Sequence, residues 1–200
     1  MEKSGAIAHL SDRFRPLGAR VPRRNQDSRV RSTRDAIVAS FNRLVLRRGY
    51  GATNVPEIAG EAGVARSTFY EHFQNKDALL RRSALHVLAP LAEATGPTGE
   101  AAAITGTLEH IRDNRRMARE MMTGDAGEQL VLALADLVER QLAGTNFAIP
   151  VRLVAMQIAR SQLGLIRAWI DALEPCPASA LASVLLAQTP ASVEAARWQG

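Results

Sequence analysis

Apolar residues recur along this chain at intervals of three and four positions, the spacing that places side chains on one face of an α-helix. Helical spacing begins near Ser32, and Gly49 is expected to end the first helix. The first apolar stripe consists of Ile37, Phe41, Leu44 and Val45. The alternation typical of β-strands is absent, and alanine and leucine dominate the composition. Both observations favour helices.

Eight further helices are predicted from the same spacing. Pro90 is expected to bend or shorten the fourth helix, and Thr95–Gly99 is a clear break. The predicted ranges are Val55–Ala62, Arg66–Phe73, a helix from Lys76 through Leu91, Glu100–Asp113, Arg115–Thr123, Ala126–Leu142, Pro150–Ala172 and Ala178–Ala187. The sequence therefore predicts an all-α protein of about nine helices.

Charge is distributed unevenly along the chain. Residues 1–34 hold nine basic and three acidic residues, and the remaining residues have a net charge of −1. Residues 1–30 are predicted to form a disordered basic tail, which either solubilises the chain or contacts DNA phosphates or the minor groove. The other predicted boundaries are 31–78 and 79–190 for two helical domains and 191–200 for a C-terminal tail. Because the positive excess lies in the tail, net charge alone is a weak argument for nucleic-acid binding.

Residues 53–73 meet the steric requirements of two helices joined by a tight turn. Ala59 is small enough for the second helix to approach, and Gly63 lies at the turn, where positive φ is expected. The apolar residues between the helices are Ile58, Val64 and Phe69. Asn54 is expected to cap the first helix, with Glu57 as its capping-box partner. The segment therefore predicts a helix-turn-helix.

The second of these helices carries side chains suited to reading DNA. Arg66 can bond to O6 and N7 of guanine, and Ser67 and Thr68 are short enough to reach a base or a phosphate. The other candidates can contact phosphates beside the groove: Tyr70, His72, Lys76 and, before the first helix of the motif, Thr53. A helix-turn-helix can also be purely structural, and Phe69 and Phe73 are assigned to the core.

The residues from Thr53 to Leu79 resemble the DNA-binding signature of the TetR family of bacterial transcriptional regulators. The matching pattern is Thr-x-x-x-x-Ile-Ala-x-x-Ala-Gly-Val-x-x-x-Thr-Phe-Tyr-x-His-Phe-x-x-Lys-Asp-x-Leu. In that family the positions of the seven candidates usually face DNA, so the resemblance implies DNA contact for each. One position departs from the pattern, because the family commonly has Ser or Thr where this chain has Ala65. That cap is lost, which weakens the start of the recognition helix by about 1 kcal/mol.

The resemblance also implies a dimer formed by the last two helices of each subunit. The candidate interface residues are Ile158, Leu165, Trp169, Leu181 and Leu185. Dimerisation has an independent reason, because one recognition helix reads only a few base pairs. Specific affinity then needs two half-sites about 34–36 Å apart.

The family normally places a ligand among the middle helices. The candidate lining residues are His86, His110, Met117, Met121, Met122 and Phe147. Methionines form an adaptable apolar wall, so a small apolar effector is expected, and the alternative is that these residues are ordinary core. The basic cluster of Arg115, Arg116 and Arg119 is either a solvated helix face or an entrance for an anionic ligand.

Other classes of protein lack their signatures here. The single cysteine, Cys176, cannot form an internal disulfide, no Cys/His cluster has zinc spacing, and no cofactor is expected. No apolar run approaches the roughly 18 residues of a membrane span, so we expect a cytoplasmic protein with no membrane partner. No HExxH, GxSxG, P-loop or GxGxxG motif occurs, so no enzymatic activity is expected.

The resemblance implies an N-terminal three-helix helix-turn-helix DNA-binding domain joined to a C-terminal helical ligand-binding and dimerisation domain. The function it implies is transcriptional regulation. The expected form is a repressor that binds a palindromic operator as a homodimer and is released by a small-molecule effector. The alternatives are a transcriptional activator and an architectural DNA-binding protein without a ligand.

Overall fold

The computed structural model describes residues 23–97, 99–172 and 176–198, and within these ranges the chain forms nine α-helices and no strand longer than an isolated bridge. The helices are α1 (Arg23–Arg48), α2 (Val55–Glu61), α3 (Arg66–His72), α4 (Lys76–Glu93), α5 (Ala101–Asp113), α6 (Arg115–Met121), α7 (Gly124–Gln141), α8 (Val151–Asp171) and α9 (Ala178–Ala196). The predicted all-α fold of about nine helices is confirmed.

The first helix is longer than its apolar pattern predicts. α1 begins at Arg23 and not near Ser32, so the last part of the predicted disordered tail is helical. Its first buried residue among those described is Ile37. The sequence pattern missed these turns because their sequence carries no apolar stripe. The rest of the predicted tail, residues 1–22, lies outside the described residues.

Two helices continue through a proline that the sequence pattern treats as a stop or a bend. α9 passes Pro190 and ends at Ala196, which corrects the predicted C-terminal tail, and Val193 in this last part is buried. α4 passes Pro90, and Leu91 directly after it is fully buried. A proline inside a helix removes one backbone hydrogen bond. In both helices the burial of apolar side chains beyond the proline outweighs that loss.

α1, α2 and α3 form a three-helix unit around a small apolar core. Its fully buried side chains include Ile37, Phe41, Ile58 and Phe69. Gly63 in the turn between α2 and α3 has a φ of +68°, and the Val64 N–H donates to the Ala59 carbonyl at 3.0 Å. The predicted capping box is present: the Asn54 side chain accepts from the Glu57 N–H, and the Glu57 carboxylate accepts from the Asn54 N–H.

α4 to α9 form a second helical bundle. α7 packs against both α4 and α8, and α5 packs on α9. Gln162 of α8 is buried in this bundle, where its Nε2 donates to the Leu91 carbonyl of α4 at 3.1 Å and to Thr189 Oγ1 of α9 at 2.9 Å. These two bonds join three helices.

The C-terminal end of α1 is where the three-helix unit meets the second bundle. Tyr50 donates a hydrogen bond to the Asp77 carboxylate at the start of α4, and burial together with this bond raises the pKa of Tyr50. Arg116 Nη2 of α6 donates to the Leu46 carbonyl at 3.3 Å. Glu120 lies so close to Gly49 that a Cβ there would be 2.8 Å from Glu120 Oε1. Both α4 and α6 therefore contact the end of α1.

Candidate nucleic-acid interface and cavity

Ion pairs between α1 and α2 hold the helix-turn-helix in place. Glu61 of α2 accepts from Arg43 Nε at 3.0 Å and from Arg47, and Glu57 accepts from Arg48 Nη1 at 2.6 Å. The hydrogen bonds from Arg43 and Arg47 hold the pKa of Glu61 below its usual value. The charges at this end of α1 are thus engaged within the protein.

The outer face of α3 combines a cation, hydroxyl groups and an aromatic ring. Arg66 and Ser67 are exposed, Thr68 is half-buried and Tyr70 is 45% exposed. Arg66 Nη2 lies 3.3 Å from the Tyr70 hydroxyl, and its guanidinium carbon lies 5.6 Å from the centroid of the Tyr70 ring. His72, at the end of α3, is half-buried beside Phe73. For these five candidates DNA contact stays a prediction, and their groups are open to an approaching duplex.

Thr53 and Lys76, the other two candidates, have partners inside the protein. Thr53 is 1% exposed, its hydroxyl donates to the Gly49 carbonyl at 2.8 Å, and its N–H donates to the Tyr50 carbonyl. Lys76 Nζ donates to the carbonyls of Tyr50 at 2.7 Å and Thr53 at 3.0 Å, and lies 4.1 Å from the Tyr50 ring centroid. The burial of Thr53 and the hydrogen bond of its hydroxyl to Gly49 correct the expectation that this hydroxyl contacts DNA phosphate. Lys76 holds the loop between α1 and α2 together.

The recognition helix begins without a side-chain cap. Ala65 occupies the N-cap position with φ −66° and ψ 151°, and no side chain bonds to the first N–H groups of α3. The sequence-based expectation that this cap is lost is confirmed. The exposed N–H groups of the first turn are left for water or for another hydrogen-bond acceptor.

A cavity of about 150 Å³ opens between α4, α5 and α6. Its inner wall is apolar and includes Leu80, Leu88, Leu91, Leu130, Leu163 and Met121. The structure brings His86, His110, Met117 and Met121 together here, as the sequence grouped them, along with Met122. The two imidazole rings are exposed at the rim, with 5.6 Å between their centroids. The cavity thus has an apolar interior and a polar mouth.

Two features of the cavity differ from the sequence-based expectation. Phe147 does not line it, because this residue forms an isolated bridge with Arg197 near the end of α9. Asn42 of α1 does line it, and sequence reasoning missed this residue because α1 was assigned wholly to the DNA-binding unit. The sequence did contain a signal for Asn42, because this polar residue directly follows Phe41 of the apolar stripe of α1. Residues of both the three-helix unit and the second bundle therefore line the cavity.

The basic cluster predicted on α6 binds the ends of other helices. Arg115 Nη2 donates to the Ala172 carbonyl at 3.0 Å, and Arg119 Nη2 donates to the Ile170 carbonyl at 3.0 Å. Asp171 accepts from Arg119 Nε at 2.9 Å and from Arg167, and the bonds from Arg167 and Arg119 lower the pKa of Asp171. The cluster thus fixes the C-terminal end of α8 on α6.

Four of the five candidate interface residues are buried within the subunit, which corrects that expectation. They are Ile158, Trp169, Leu181 and Leu185, and Leu165 alone of the five is half-buried. Trp169 Nε1 also donates to the Cys176 carbonyl at 2.8 Å. Exposed positions of α8 and α9 include polar residues, and among the exposed or half-buried positions there is also a set of small or apolar residues: Leu153, Gly164, Leu165, Ala168, Ala180, Val184, Ala187 and Ala191. We refer to this set as the outer α8–α9 face.

Within the described ranges, no helix is both long enough and apolar enough to cross a membrane. The described residues also contain no group of three or more His, Cys, Asp or Glu side chains that could hold a metal ion. Cys176 is exposed.

Residues 37–82 match a family described as bacterial regulatory proteins, tetR family. The chain is 31% identical over 93 residues to the Transposon Tn10 TetC protein of Escherichia coli, a match that covers 44% of this chain and 47% of that protein. It is 40% identical over 47 residues to the uncharacterized HTH-type transcriptional regulator YerO of Bacillus subtilis (strain 168), covering 24% of this chain and 16% of that protein. The chain thus spans less than half the length of these relatives.

Two solved structures share the fold over most of their length. A TetR-family regulator from Streptomyces coelicolor A3 has a TM-score of 0.61 at 20% identity, covering 88% of this chain and 99% of that one. A TetR transcriptional regulator from Streptococcus agalactiae 2603V has a TM-score of 0.56 at 21% identity, covering 84% of this chain and 98% of that one. At these identities the likeness concerns the arrangement of the helices.

Proposed function

We propose that this chain, whose residues 37–82 match the TetR family of bacterial transcriptional regulators, is a homodimeric repressor released from its operator by a small apolar effector. The observation that carries the proposal is the cavity, whose wall includes Asn42 of the DNA-binding unit as well as side chains of α4 to α8. A molecule in this cavity contacts both units at once. Its binding can therefore depend on how the two units are arranged.

The outer α8–α9 face supports the dimer. Of the 19 residues of α9 only Glu194 is charged, and Val184 on its outward side is 41% exposed. The solvent-facing side of a helix normally carries charged residues, so a side with almost none is expected to be covered by a partner. A second copy of the chain, packing by the same face, would cover these residues and place two recognition helices for two half-sites about 34–36 Å apart.

The composition of the cavity supports a neutral effector about the size of one aromatic ring. None of the described lining residues carries a carboxylate, an ammonium or a guanidinium group. An apolar cavity of about 150 Å³ is large enough for benzene. The imidazoles of His86 and His110 and the amides of Asn42 and Asn114 at the polar side can hydrogen-bond one polar group. Phenol has these properties and serves as the probe.

α6 offers a route from the cavity to the DNA-binding unit. Its Met117 and Met121 line the cavity, while its Arg116 donates to the Leu46 carbonyl of α1. A ligand that binds better when α6 is displaced would favour a state in which α1, and α3 with it, is reoriented. Only such a difference in affinity between two states can release the protein from DNA.

Selection of duplexes from a random library by the purified protein tests the DNA-binding part. We expect enrichment of a palindrome that binds one dimer in a mobility-shift assay. Failure to enrich any sequence would refute the regulator. If, in addition, removal of residues 1–30 abolished all binding, an architectural DNA-binding protein would be favoured. A reporter gene under the selected site should be expressed more strongly when the protein is deleted, and lower expression would identify an activator.

Thermal denaturation with phenol tests the effector part. A ligand that binds the folded protein alone stabilises it by about 2.7 kcal/mol at a hundred times its dissociation constant. We expect phenol to raise the melting temperature and weaken operator binding, and benzoate, with its charge, to do neither. Met117→Phe, which narrows the cavity, should remove the phenol effect and keep operator binding. Equal responses to phenol in both proteins would place the binding elsewhere.

A further inference from the structure

We propose that the first turns of α1, through Arg29, Arg31 and Arg34, form a second DNA contact that binds the phosphate backbone beside each half-site. This rests on the proposed DNA-binding function. It adds an interaction surface on α1, outside the helix-turn-helix and outside residues 37–82, which match the family. We call these three side chains the arm arginines.

Among the described residues the arm arginines have no partner, unlike the arginines at the C-terminal end of α1. Arg43, Arg47 and Arg48 all form ion pairs with glutamates of α2. No ion pair or hydrogen bond joins the arm arginines to any described residue. Arg29 and Arg31 are exposed and Arg34 is half-buried. Within the part of the chain that the structure describes, the arm thus presents three guanidinium groups without an ion-pair partner, and Asp35 carries the only carboxylate over 28–36.

The position of the arm follows from the direction of α1. The C-terminal end of α1 contacts the second bundle through Leu46 and Gly49. A helix rises about 1.5 Å per residue, so Arg34 and Arg29 lie about 18 Å and about 25 Å from Leu46 along the axis. The arm therefore extends away from the second bundle, past the apolar core of the three-helix unit, which starts at Ile37. The recognition surface belongs to that same unit.

Charge and shape select DNA phosphate as the occupant. Successive residues of a helix are about 100° apart, so Arg29 lies on the opposite flank of α1 from Arg31. Phosphates line both walls of a DNA groove, and a helix end with cations on two flanks can meet both walls. An anionic membrane would require a broad apolar face. Val30 is the only large apolar side chain over 28–36.

The arm has little buried surface to stabilise it: over 28–36 no side chain is fully buried, and only Thr33, Arg34 and Ala36 are half-buried. A helical segment that buries so little apolar surface gains little from its own hydrogen bonds. Neutralising its arginines with phosphates would stabilise it. DNA binding is therefore expected to increase the protection of the amide hydrogens over 28–36 from exchange.

The test compares two variants with the same change in net charge. Arg29→Gln/Arg31→Gln/Arg34→Gln removes the arm arginines, and Arg112→Gln/Arg140→Gln/Arg197→Gln removes three exposed arginines of the second bundle. Affinity for a random-sequence duplex is measured against salt concentration. Each phosphate contact contributes about 0.9 to the slope of log K against log salt concentration, so the arm variant should lose about 2.7 from the slope. The control variant should keep the wild-type slope.

Further measurements separate the possible failures. Arg29→Lys/Arg31→Lys/Arg34→Lys keeps the charges and should restore the slope, which would rule out a folding defect in the Gln variant. A wild-type slope in the Gln variant would overturn the inference, as would equal losses in the control or a loss confined to binding of phosphatidylserine vesicles. If the wild type selects no operator but the Gln variant of the arm still has a smaller salt slope than the wild type, the repressor proposal fails and the proposal of an arm that contacts DNA is kept. If the wild type selects an operator and the slope is unchanged, the arm alone fails.

Discussion

Replacing Lys76 by methionine separates a structural lysine from one that binds phosphate. Lys76 Nζ donates to two carbonyls, at 2.7 Å and 3.0 Å, and lies 4.1 Å from the Tyr50 ring centroid. Methionine keeps the helix propensity and most of the apolar volume, but removes all three interactions. A hydrogen bond from a charged group is worth about 1.5–3 kcal/mol, and a cation over an aromatic ring about 0.5–2 kcal/mol.

Because Lys76 is half-buried and its interactions are coupled, we expect Lys76→Met to lower the free energy of unfolding by about 2–4 kcal/mol. For a chain of this size 1 kcal/mol corresponds to about 2–4 °C, so the melting temperature should fall by about 4–16 °C. The slope of log K against log salt concentration for DNA should not change when it is measured well below the melting temperature.

The result that would refute this reasoning is the opposite pattern. If Lys76 mainly contacts phosphate, Lys76→Met should lower the salt slope by about 0.9 and leave the melting temperature unchanged. Arg66→Met is the matched control, because Arg66 is exposed on α3. It should lose affinity for the selected operator and lower the free energy of unfolding by no more than about 1 kcal/mol, the worth of its exposed contact with Tyr70.

Three further predictions concern single positions. Ala65→Ser supplies the missing cap of α3, at a position whose backbone conformation (φ −66°, ψ 151°) suits a capping residue. It should raise the free energy of unfolding by about 0.5–2 kcal/mol, and an unchanged urea midpoint would contradict this. The hydrogen bonds from Arg43 and Arg47 lower the pKa of Glu61 in the folded state, so their contribution is present above the unfolded value of about 4.3 and is lost as the pH falls through the lower folded value. Glu61→Gln should therefore reduce the loss of stability between about pH 5 and pH 3, measured by urea titration. If the variant lost as much stability as the wild type over this pH range, the ion pairs of Glu61 would not contribute to folding. Val184→Arg on the outer α8–α9 face should give monomers in sedimentation, with subunit stability changed by about 0.5 kcal/mol or less, and a dimer that persists would remove this face as the interface.

The helix-turn-helix could be predicted in detail because its determinants are local. Asn54 and Glu57 form their capping box within four residues, and Gly63 adopts positive φ because the turn requires it. The missing cap at Ala65 was visible for the same reason. A residue pattern fixes such features without knowledge of the remaining fold.

Features that depend on distant partners could not be predicted in this way. The apolar stripes of α8 and α9 are real, but periodicity does not say whether a neighbouring helix of the same subunit or a second copy covers them. Ile158 and Leu185 are therefore core, while Val184 is exposed. Phe147 lies in a loop, where no periodicity fixes its direction. The hydroxyl of Thr53 was expected to face DNA but donates to the Gly49 carbonyl. The sequence could not show this bond, because it depends on the path of the loop between α1 and α2.

The contact between Arg66 and Tyr70 has a consequence for how a binding sequence is chosen. In the free protein this guanidinium already has a partner, since it lies against the Tyr70 ring and hydroxyl. Such an exposed contact is worth about 0.5–1 kcal/mol, whereas a bidentate bond to guanine discriminates against the wrong base by about 1–3 kcal/mol. If Arg66 reads guanine as proposed, Tyr70 is an internal competitor of the base. A bidentate bond to guanine is strong enough to displace the Tyr70 contact and a weaker base contact is not, so Arg66 is expected to leave the ring only for guanine.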